Sequence, residues 1–296
     1  MQNISQYLSP QSDLLAKELF NLDHKLFYGG KYIRSKILEQ ISENLKLNKK
    51  QAFLLANSVE MIQNATLCHD DVIDTSEYRR GVPSLWKALD NRKSILIGDL
   101  ILARVLIDLS KENNPVLIQE MSSIIYKLVE GEYIQGDLKD RPQDWNKDNY
   151  KLIARCKTGS LFSWCFTSPI IFINKLPNKA ISQAREIGEN IGEAFQIRDD
   201  IMDFHKGRSK RRFEDLKNTN INYVLLEKSD LCKNYRSHYE SKILPLIKSS
   251  ITELNSFITC ITKEITLFNT KYKQDFFNPK WIQLLCLEEE LDSFKL

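Results

Sequence analysis

Residues 51–78 read QAFLLANSVEMIQNATLCHDDVIDTSEY, a long apolar stretch that ends in three aspartates. Its apolar residues recur with the 3.6-residue period of a helix and occupy much of the circumference, which predicts a central helix over residues 50–78. Negative charge at the C-terminal end of a helix opposes the helix dipole. Asp70, Asp71 and Asp74 are therefore unfavourable there unless a metal ion or a basic partner compensates them.

A second stretch repeats this arrangement. Residues 186–197, EIGENIGEAFQI, are followed by Asp199, Asp200 and Asp203, with the same DDxxD spacing. Aspartates four residues apart on a helix lie on one face, about 6 Å apart along the axis. Mg²⁺ prefers oxygen ligands and is commonly held by one or two carboxylates together with phosphate oxygens. Two such helices facing each other predict Mg²⁺ ions around a diphosphate, although either box alone is as often a solvated helix end.

The remainder of the chain also predicts helices. Ten Gly and eight Pro are few for 296 residues, and no series of short Val-, Ile- and Thr-rich strands is separated by turn signals. No Pro-, Gly- or Ser-rich linker divides the chain, so we expect a single domain over residues 1–296. The predicted helices cover residues 12–27, 32–46, 50–78, 93–112, 115–139, 147–173, 178–205, 221–228, 231–270 and 280–293.

The composition argues against several classes of protein. The 42 basic and 39 acidic residues give a net charge of +3, which offers no general case for nucleic-acid or membrane-surface binding. Six scattered cysteines form no C-x-x-C pair, so we expect buried thiols in a reducing compartment. The longest apolar run, 161–173, is too short for a transmembrane segment, and the N-terminus lacks the pattern of a secretory signal. A cytoplasmic protein is expected.

Basic residues cluster at four places beside the acidic boxes. Each group alone is more often solvated charge, but together the groups could supply the cations that a bound diphosphate needs. The groups are Lys31 with Arg34, Arg79 with Arg80, Lys157 beside Thr158, and five basic residues within 206–212.

These motifs, in this order, resemble the trans-isoprenyl diphosphate synthases, the polyprenyl synthetase family, over nearly the whole chain. The resemblance implies the isoprenoid synthase fold, an all-α, single-domain bundle of about ten or more mostly antiparallel helices around a deep central cavity. It also implies a homodimer. The motifs are GGKYIR at 29–34, HDDVID at 69–74, RRG at 79–81, IGDLILAR at 97–104, GEYIQ at 131–135, KTGSLF at 157–162 and AFQIRDDIMDF at 194–204.

The resemblance further implies a reaction. A cluster of three Mg²⁺ ions would stabilise pyrophosphate as it leaves an allylic diphosphate, and the double bond of isopentenyl diphosphate would attack the resulting cation. Proton loss would then complete one five-carbon addition. By resemblance the direct metal ligands are Asp70, Asp74 and Asp199, and the residues that support them are Asp71, Asp200 and Asp203.

Substrate-binding residues follow from the same resemblance. Thr158 and Gln196 would also stabilise the allylic cation through their oxygen dipoles. The implied catalytic set consists of the direct metal ligands together with Arg79, Lys157, Thr158 and Gln196. Isopentenyl diphosphate would be held by Lys31, Arg34, Gln63 and Arg80, and the allylic diphosphate by Arg79, Lys157 and Gln196.

The chain departs from the family pattern in two motifs. Tyr32 and Ser35 replace the usual Arg and Pro of the first motif, although both of its cations are kept. The basic segment 206–220 is shorter than in the family and lacks the Gly-Lys and Gly-Lys-x-Thr motifs. Lys210 is the candidate for the remaining diphosphate-binding lysine.

Small residues near the first box predict a long product. Ala65 and Thr66 lie about one helical turn deeper than Asp70, where a Phe or Tyr would block the growing chain. By resemblance we expect a product longer than fifteen carbons, such as a quinone side-chain precursor. Ala65 could instead be a packing residue. The cavity floor would then be formed by Met61, Ile125 or Leu128.

Four alternatives stay open at this point. A short-chain farnesyl or geranylgeranyl diphosphate synthase would share every motif. A non-catalytic partner subunit typically loses aspartates that are all present here, but the shortened basic loop leaves this alternative open. A terpene cyclase usually carries a different second metal motif and needs no isopentenyl site. Only KGRSKRR at 206–212 suggests RNA binding, without interleaved aromatic residues.

Overall fold

A computed structural model describes residues 30, 32–206, 223, 226, 244–273, 275, 277 and 278, without the side chains of 142, of 202–206 and of several residues in 244–258. The predicted all-α fold is confirmed. The helices are α1 (Ile33–Asn44), α2 (Lys49–Ile73), α3 (Leu85–Ala88), α4 (Asn91–Ser110), α5 (Pro115–Lys139), α6 (Lys147–Ala154), α7 (Ser160–Ile173), α8 (Asn178–Lys206) and α9 (Leu244–Tyr272). Four short elements complete the description: the antiparallel strands β1 (Tyr78–Arg79) and β2 (Val82–Pro83), the 3-10 turn Pro142–Asp144 and the π turn Arg155–Gly159.

The helix starts follow signals that are visible in the sequence. Asn48 and Gln51 form a reciprocal capping box at the start of α2, with hydrogen bonds of 3.0 and 3.1 Å. Asp90 accepts a hydrogen bond of 2.7 Å from the amide of Lys93 at the start of α4. Asn114 caps α5, which begins with Pro115. These caps satisfy amides that have no partner within their own helix.

The predicted helix 50–78 is wrong at its C-terminal end. Helix α2 stops at Ile73, and Asp74 is its C-cap. Thr75 and Arg80 have φ values of 52° and 53°, and Gly81 has φ 80°, so the chain leaves the helix and turns back as the hairpin β1–β2. Left-handed backbone at a residue other than glycine is a local strain that periodicity cannot reveal.

Other predicted stretches are covered unevenly. Predicted helices 12–27 and 280–293 lie outside the described residues, and only Tyr223 and Leu226 represent 221–228. The predicted helix 147–173 contains the π turn between α6 and α7. Among the described cysteines, Cys68, Cys156 and Cys165 are buried as expected, but Cys260 is exposed, so the expectation of buried thiols was wrong for that residue.

Helix α7 lies at the centre of the core. Phe162, Trp164 and Phe166 are fully buried, and the indole of Trp164 donates a hydrogen bond of 3.1 Å to the Leu55 carbonyl on α2. Helix α7 packs against α1, α2, α5 and α8. Full burial of an apolar side chain of this size contributes about 1.5–3 kcal/mol, so α7 anchors the helices around it.

Two glycines bring α7 and α8 into close contact. A Cβ on Gly188 would lie 2.5 Å from the Ser163 Cα, and a Cβ on Gly192 would lie 2.4 Å from the Gly159 Cα. Residue 188 thus faces 163 while 192 faces 159, so the two helices are antiparallel. This packing places the π turn beside the part of α8 that leads into the second acidic box.

Candidate active site

The three aspartates of the first box have different surroundings. Asp71 is buried and accepts a hydrogen bond of 2.9 Å from Arg79 Nε, and Arg79 Nη2 contacts the same oxygen. Asp74, at the end of α2, has its carboxylate 3.8 Å from Lys139 Nζ. Hairpin β1–β2 therefore returns Arg79 onto its own acidic box. In this structure Arg79 neutralises Asp71, whereas the sequence assigned it to the allylic diphosphate.

Asp70 is the aspartate of this box with a strongly altered acidity. The pKa of its carboxyl is raised from the ordinary 3.8 to about 7. Burial is the largest cause, Glu132 and Asp74 act in the same direction, and Lys157 and Arg79 partly offset them. A carboxyl in this state is costly to ionise without a cation nearby. Asp70 is thus suited to accept a divalent cation that compensates its charge.

This raised pKa predicts a pH dependence of stability in Mg²⁺-free buffer. Between 3.8 and about 7 the folded protein keeps the Asp70 proton that the unfolded chain has released, so its contribution to stability falls as pH rises and is lost above about 7. Asp70→Asn should remove that contribution. Melting temperatures measured between about pH 5 and pH 8 should fall more steeply for wild type than for the variant. Parallel curves would contradict the altered acidity of Asp70.

In the second box, Asp199 and Asp200 also differ. The Asp199 side chain is 44% exposed, with Arg198 Nη1 3.9 Å away. Asp200 is buried and accepts hydrogen bonds of 2.9 Å from Gln196 Nε2 and from the amide of Tyr223. Asp200 therefore fixes Gln196 and Tyr223, and Asp199 has the more accessible carboxylate. Asp203 belongs to α8, and its side chain lies outside the described part.

The π turn carries the predicted Lys157 and Thr158. Lys157 forms an ion pair with Glu132 and donates a hydrogen bond of 3.2 Å to Gln135 Oε1, both on α5. Thr158 donates a hydrogen bond of 2.9 Å to Gln196 Oε1 on α8. Gln196 thus links the turn to Asp200.

Sequence reasoning assigned no role to Glu132, Gln135 or Lys139. All three lie on α5 and contact predicted site residues. The signal was the GEYIQ motif, whose Glu132 and Gln135 lie three residues apart on one helix face. Their partners depend on how α5 packs, which the motif does not state.

Two described residues of the predicted isopentenyl site, Arg34 and Arg80, interact with each other. Arg80 lies against Gly30, since a Cβ on Gly30 would be 3.2 Å from Arg80 Nη2. Arg34 interacts electrostatically with Arg80 and Asp199, and its guanidinium lies 4.9 Å from the ring centre of Phe162. Burial lowers its pKa, and its Nε is a buried donor without a hydrogen-bond acceptor among the described residues. An anionic ligand would satisfy that donor.

The other predicted residues lie on α2 and α5 or outside the described part of the chain. Gln63 is half-buried on α2, and its carbonyl accepts a hydrogen bond of 2.9 Å from Thr66, which is also half-buried. Ala65 is fully buried, the alternative floor residues Met61 and Leu128 are buried, and Ile125 is half-buried. Lys31, Lys210 and residues 207–220 of the basic loop lie outside the described part.

The carboxylates of this site are suited to hold Mg²⁺ only together with the phosphate groups of a bound substrate. Within the described part of the chain, no three His, Cys, Asp or Glu side chains converge into a preformed metal cage. Mg²⁺ usually binds through one or two carboxylates plus substrate phosphates, so a preformed cage is not required. Asp70, with its raised pKa, and the exposed Asp199 are suited to such partial coordination.

Comparison with known proteins adds independent findings. A family model described as "Polyprenyl synthetase" matches residues 17–258. The decaprenyl-diphosphate synthase of Dictyostelium discoideum is 39% identical over 176 residues, which cover 59% of this chain and 38% of that protein. The decaprenyl-diphosphate synthase subunit 1 of Schizosaccharomyces pombe is 35% identical over 205 residues, which cover 67% of this chain and 53% of that protein. The chain spans between about a third and a half of the length of the curated relatives it matches.

Solved structures agree on the architecture. A decaprenyl diphosphate synthase from Rhodobacter capsulatus aligns with a TM-score of 0.76 at 21% identity, over 98% of this chain and 92% of that chain. A heptaprenyl diphosphate synthase from Staphylococcus aureus aligns with a TM-score of 0.75 at 24% identity, over 98% of this chain and 94% of that chain. At these identities the likeness shows the fold alone.

Proposed function

Because this chain belongs to the polyprenyl synthetase family, we propose that it is a Mg²⁺-dependent trans-prenyltransferase that condenses isopentenyl diphosphate with an allylic diphosphate. One observation carries the proposal. Thr158, Gln196 and Asp200 form a continuous hydrogen-bonded chain, so the turn that bears Lys157 is joined directly to the second acidic box. This link supports the proposal that one site binds both the allylic diphosphate and its metal ions.

Each group has a distinct task in this proposal. When bound, Mg²⁺ supplies Lewis-acid stabilisation to the departing pyrophosphate. Lys157 would leave Glu132 for the allylic diphosphate, as the charge of that diphosphate exceeds that of one carboxylate. The side-chain oxygens of Thr158 and Gln196 would face the developing allylic cation as fixed dipoles, which stabilise positive charge without a covalent bond.

The second substrate would bind at Arg34 and Arg80. Arg34 and Arg80 interact electrostatically, and a bound diphosphate would relieve the repulsion between the two guanidinium groups. Gln63 and Lys31 are proposed to complete this subsite. Its position next to the second box brings the double bond of isopentenyl diphosphate towards the carbon that loses pyrophosphate.

A long product is part of the proposal. The relatives described above are named decaprenyl-diphosphate synthases, and small residues stand at Ala65 and Thr66. We propose a trans-polyprenyl diphosphate longer than fifteen carbons, suited to a quinone side chain. A short-chain product is the alternative that product sizing would detect.

Product formation tests the activity directly. The purified chain is incubated with isopentenyl diphosphate and allylic primers of increasing length, with Mg²⁺ or with a chelator, and the products are sized. We expect elongation to products beyond fifteen carbons in the reaction with Mg²⁺ and no elongation in the reaction with the chelator. A reaction without isopentenyl diphosphate controls for primer breakdown. No elongation with any primer would overturn the proposal and favour a non-catalytic subunit.

The exposed face of α5 supports the homodimer proposal. Tyr126, Val129 and Tyr133 are 68%, 64% and 75% exposed and follow a spacing of three and four residues, so they form one apolar stripe. A contiguous apolar surface of this kind is typical of protein interfaces. We propose that a second copy of this chain covers this α5 stripe.

Charge placed on the α5 stripe should separate the copies. We expect Tyr133→Lys to lower the sedimentation coefficient from that of a dimer to that of a monomer, because a lysine there would be buried without a partner. Leu267→Lys is the matched control, since Leu267 is 69% exposed on α9. A dimer that persists in Tyr133→Lys, or dissociates equally in both variants, would refute this interface.

The location and the other partners stay predictions. No helix in the described part of the chain is long and apolar enough to cross a membrane. A cytoplasmic location and the absence of nucleic-acid binding are expected from the sequence. Fractionation of cells that express the full-length protein would test the first expectation, and salt-sensitive RNA binding would count against the second.

A further inference from the structure

We propose that Arg155 is a positioning residue that holds the π turn in the register needed for Lys157 and Thr158 to meet the allylic diphosphate. The inference rests on the proposed prenyltransferase function. Arg155 is the first residue of that turn, and its side chain binds α8 one turn before Gln196. Within the described part of the chain, it has no hydrogen bond or ion pair with the predicted metal ligands or the predicted substrate-binding residues.

Arg155 contacts three acceptors on one face of α8. Its Nε donates a hydrogen bond of 2.9 Å to Glu193, its Nη2 contacts the side-chain oxygen of Asn190, and its Nη1 lies 3.8 Å from Glu189. A planar guanidinium can bridge several acceptors in a fixed orientation. The start of the turn is therefore fixed in position and in rotation relative to α8.

These acceptors are themselves held by other helices. Lys127 on α5 lies 2.5 Å from Glu189, and Asn190 donates a hydrogen bond of 3.1 Å to Glu264 on α9. The Arg155 contacts thus belong to a polar network, defined by Lys127, Arg155, Glu189, Asn190, Glu193 and Glu264. This network joins α5, α8 and α9 around the turn.

The turn has little freedom to relax. A Cβ on Gly131 of α5 would lie 2.7 Å from Cys156 Cβ and 2.9 Å from Lys157 Cγ, and a Cβ on Gly192 would lie 2.4 Å from the Gly159 Cα. Both neighbouring helices approach the turn through glycines. Rotation of the turn would therefore move Lys157 and Thr158 rather than be absorbed by its surroundings.

The π turn itself explains why a positioning residue is needed. The Ser160 amide bonds the Arg155 carbonyl, five residues earlier, instead of the carbonyl four residues earlier. Such turns are rare and less favourable than a regular helix, and the extra residue alters the direction of every side chain within it. Arg155 and Thr158, bound to α8 at 193 and 196, hold the turn at two points with Lys157 between them.

The test compares Arg155→Met with Arg185→Met. Arg185 also carries a charged contact between α8 and α5, with hydrogen bonds of 3.1 and 2.6 Å to Glu120, but it lies three turns from Gln196. We expect both variants to lose melting temperature to a similar extent. Only Arg155→Met should raise the KM for the allylic diphosphate by roughly tenfold or more, with less than about a threefold change in the KM for isopentenyl diphosphate.

Arg155→Lys distinguishes orientation from charge. Lysine keeps the positive charge but is a point charge that cannot bridge Glu193 and Asn190 together. We expect it to recover the melting temperature while the KM for the allylic diphosphate stays raised by several-fold. Should Arg155→Met fail to fold, as judged by circular dichroism, Arg155→Lys and Glu193→Gln are measured by the same two KM values.

The possible outcomes separate the two proposals. A wild-type protein that does not elongate any primer would overturn the prenyltransferase function itself. An active wild type whose Arg155 variants raise both KM values equally, or raise neither, would overturn the positioning role alone. The positioning role is supported if the Arg155 variants raise only the KM for the allylic diphosphate and Arg185→Met leaves that KM unchanged.

Discussion

Asp70→Asn is expected to lower kcat/KM for chain elongation by about 100- to 1,000-fold while the protein stays folded. The substitution keeps the shape of the side chain and removes the charge that a Mg²⁺ ion would meet. Because burial raises the pKa of Asp70 to about 7, ionised Asp70 disfavours the Mg²⁺-free folded state. The variant should therefore melt at or above the wild-type temperature in Mg²⁺-free buffer. Asp199→Asn should cause a loss of activity of the same order.

Two aspartates serve as controls for that experiment. Asp71→Asn removes the negative charge that pairs with Arg79 at a buried position and should cost about 1–3 kcal/mol of unfolding free energy. Asp137→Asn, at a 57% exposed position, should change neither stability nor rate. Asp70 and Asp71 are adjacent in sequence, but the first substitution should lower kcat/KM, whereas the second should lower the unfolding free energy. An Asp70→Asn variant that keeps more than about a tenth of the activity would contradict the metal-ligand proposal.

The helical fold was predictable because its causes are local. Apolar periodicity, few glycines and prolines, and caps such as Asn48 and Asp90 agree along most of the described chain. The end of α2 was not predictable, because it depends on left-handed backbone at Thr75 and Arg80. Those residue types have no strong preference for that conformation, so no pattern indicates it.

The sequence indicated which residue types would form the site, but it could not indicate which side chains they would contact. The spacing of Asp70, Asp71 and Asp74 indicated a metal-binding box, yet it could not show that Arg79 would neutralise Asp71. That contact requires the hairpin β1–β2 to fold back. Likewise Glu132 reaches Lys157 only because α5 packs closely against the π turn through a glycine. Partners that depend on tertiary packing have no signal in local sequence.

The role proposed for Arg155 could not be predicted from the sequence either. In the sequence it is one basic residue two positions before Lys157, and nothing marks it as different from a solvated charge. Its significance depends on an extra residue in the turn and on three acceptors of α8. Arg155 thus influences the chemistry through the orientation of its neighbours, which only the folded arrangement reveals.

Ala65→Phe is expected to shift the products to shorter chains and to remove most of the longest one. Ala65 precedes Asp70 by five residues, about 7.5 Å along α2. A growing chain that starts at the metal site and runs along α2 would meet the added ring after one or two further condensations. Radiolabelled isopentenyl diphosphate with a fixed primer, followed by chromatographic sizing, measures the shift.

Ala56→Phe is the matched control for overpacking. Ala56 is also buried on α2, and nine residues of helix place it on the side opposite Ala65. Both variants should lose about 1–3 kcal/mol of stability, because each adds a ring to a packed core, but only Ala65→Phe should shorten the product. If Ala65→Phe is destabilised and its products are unchanged, Ala65 is a packing residue. The floor must then be sought at Met61, Ile125 or Leu128, since these apolar residues would still limit the depth of the cavity.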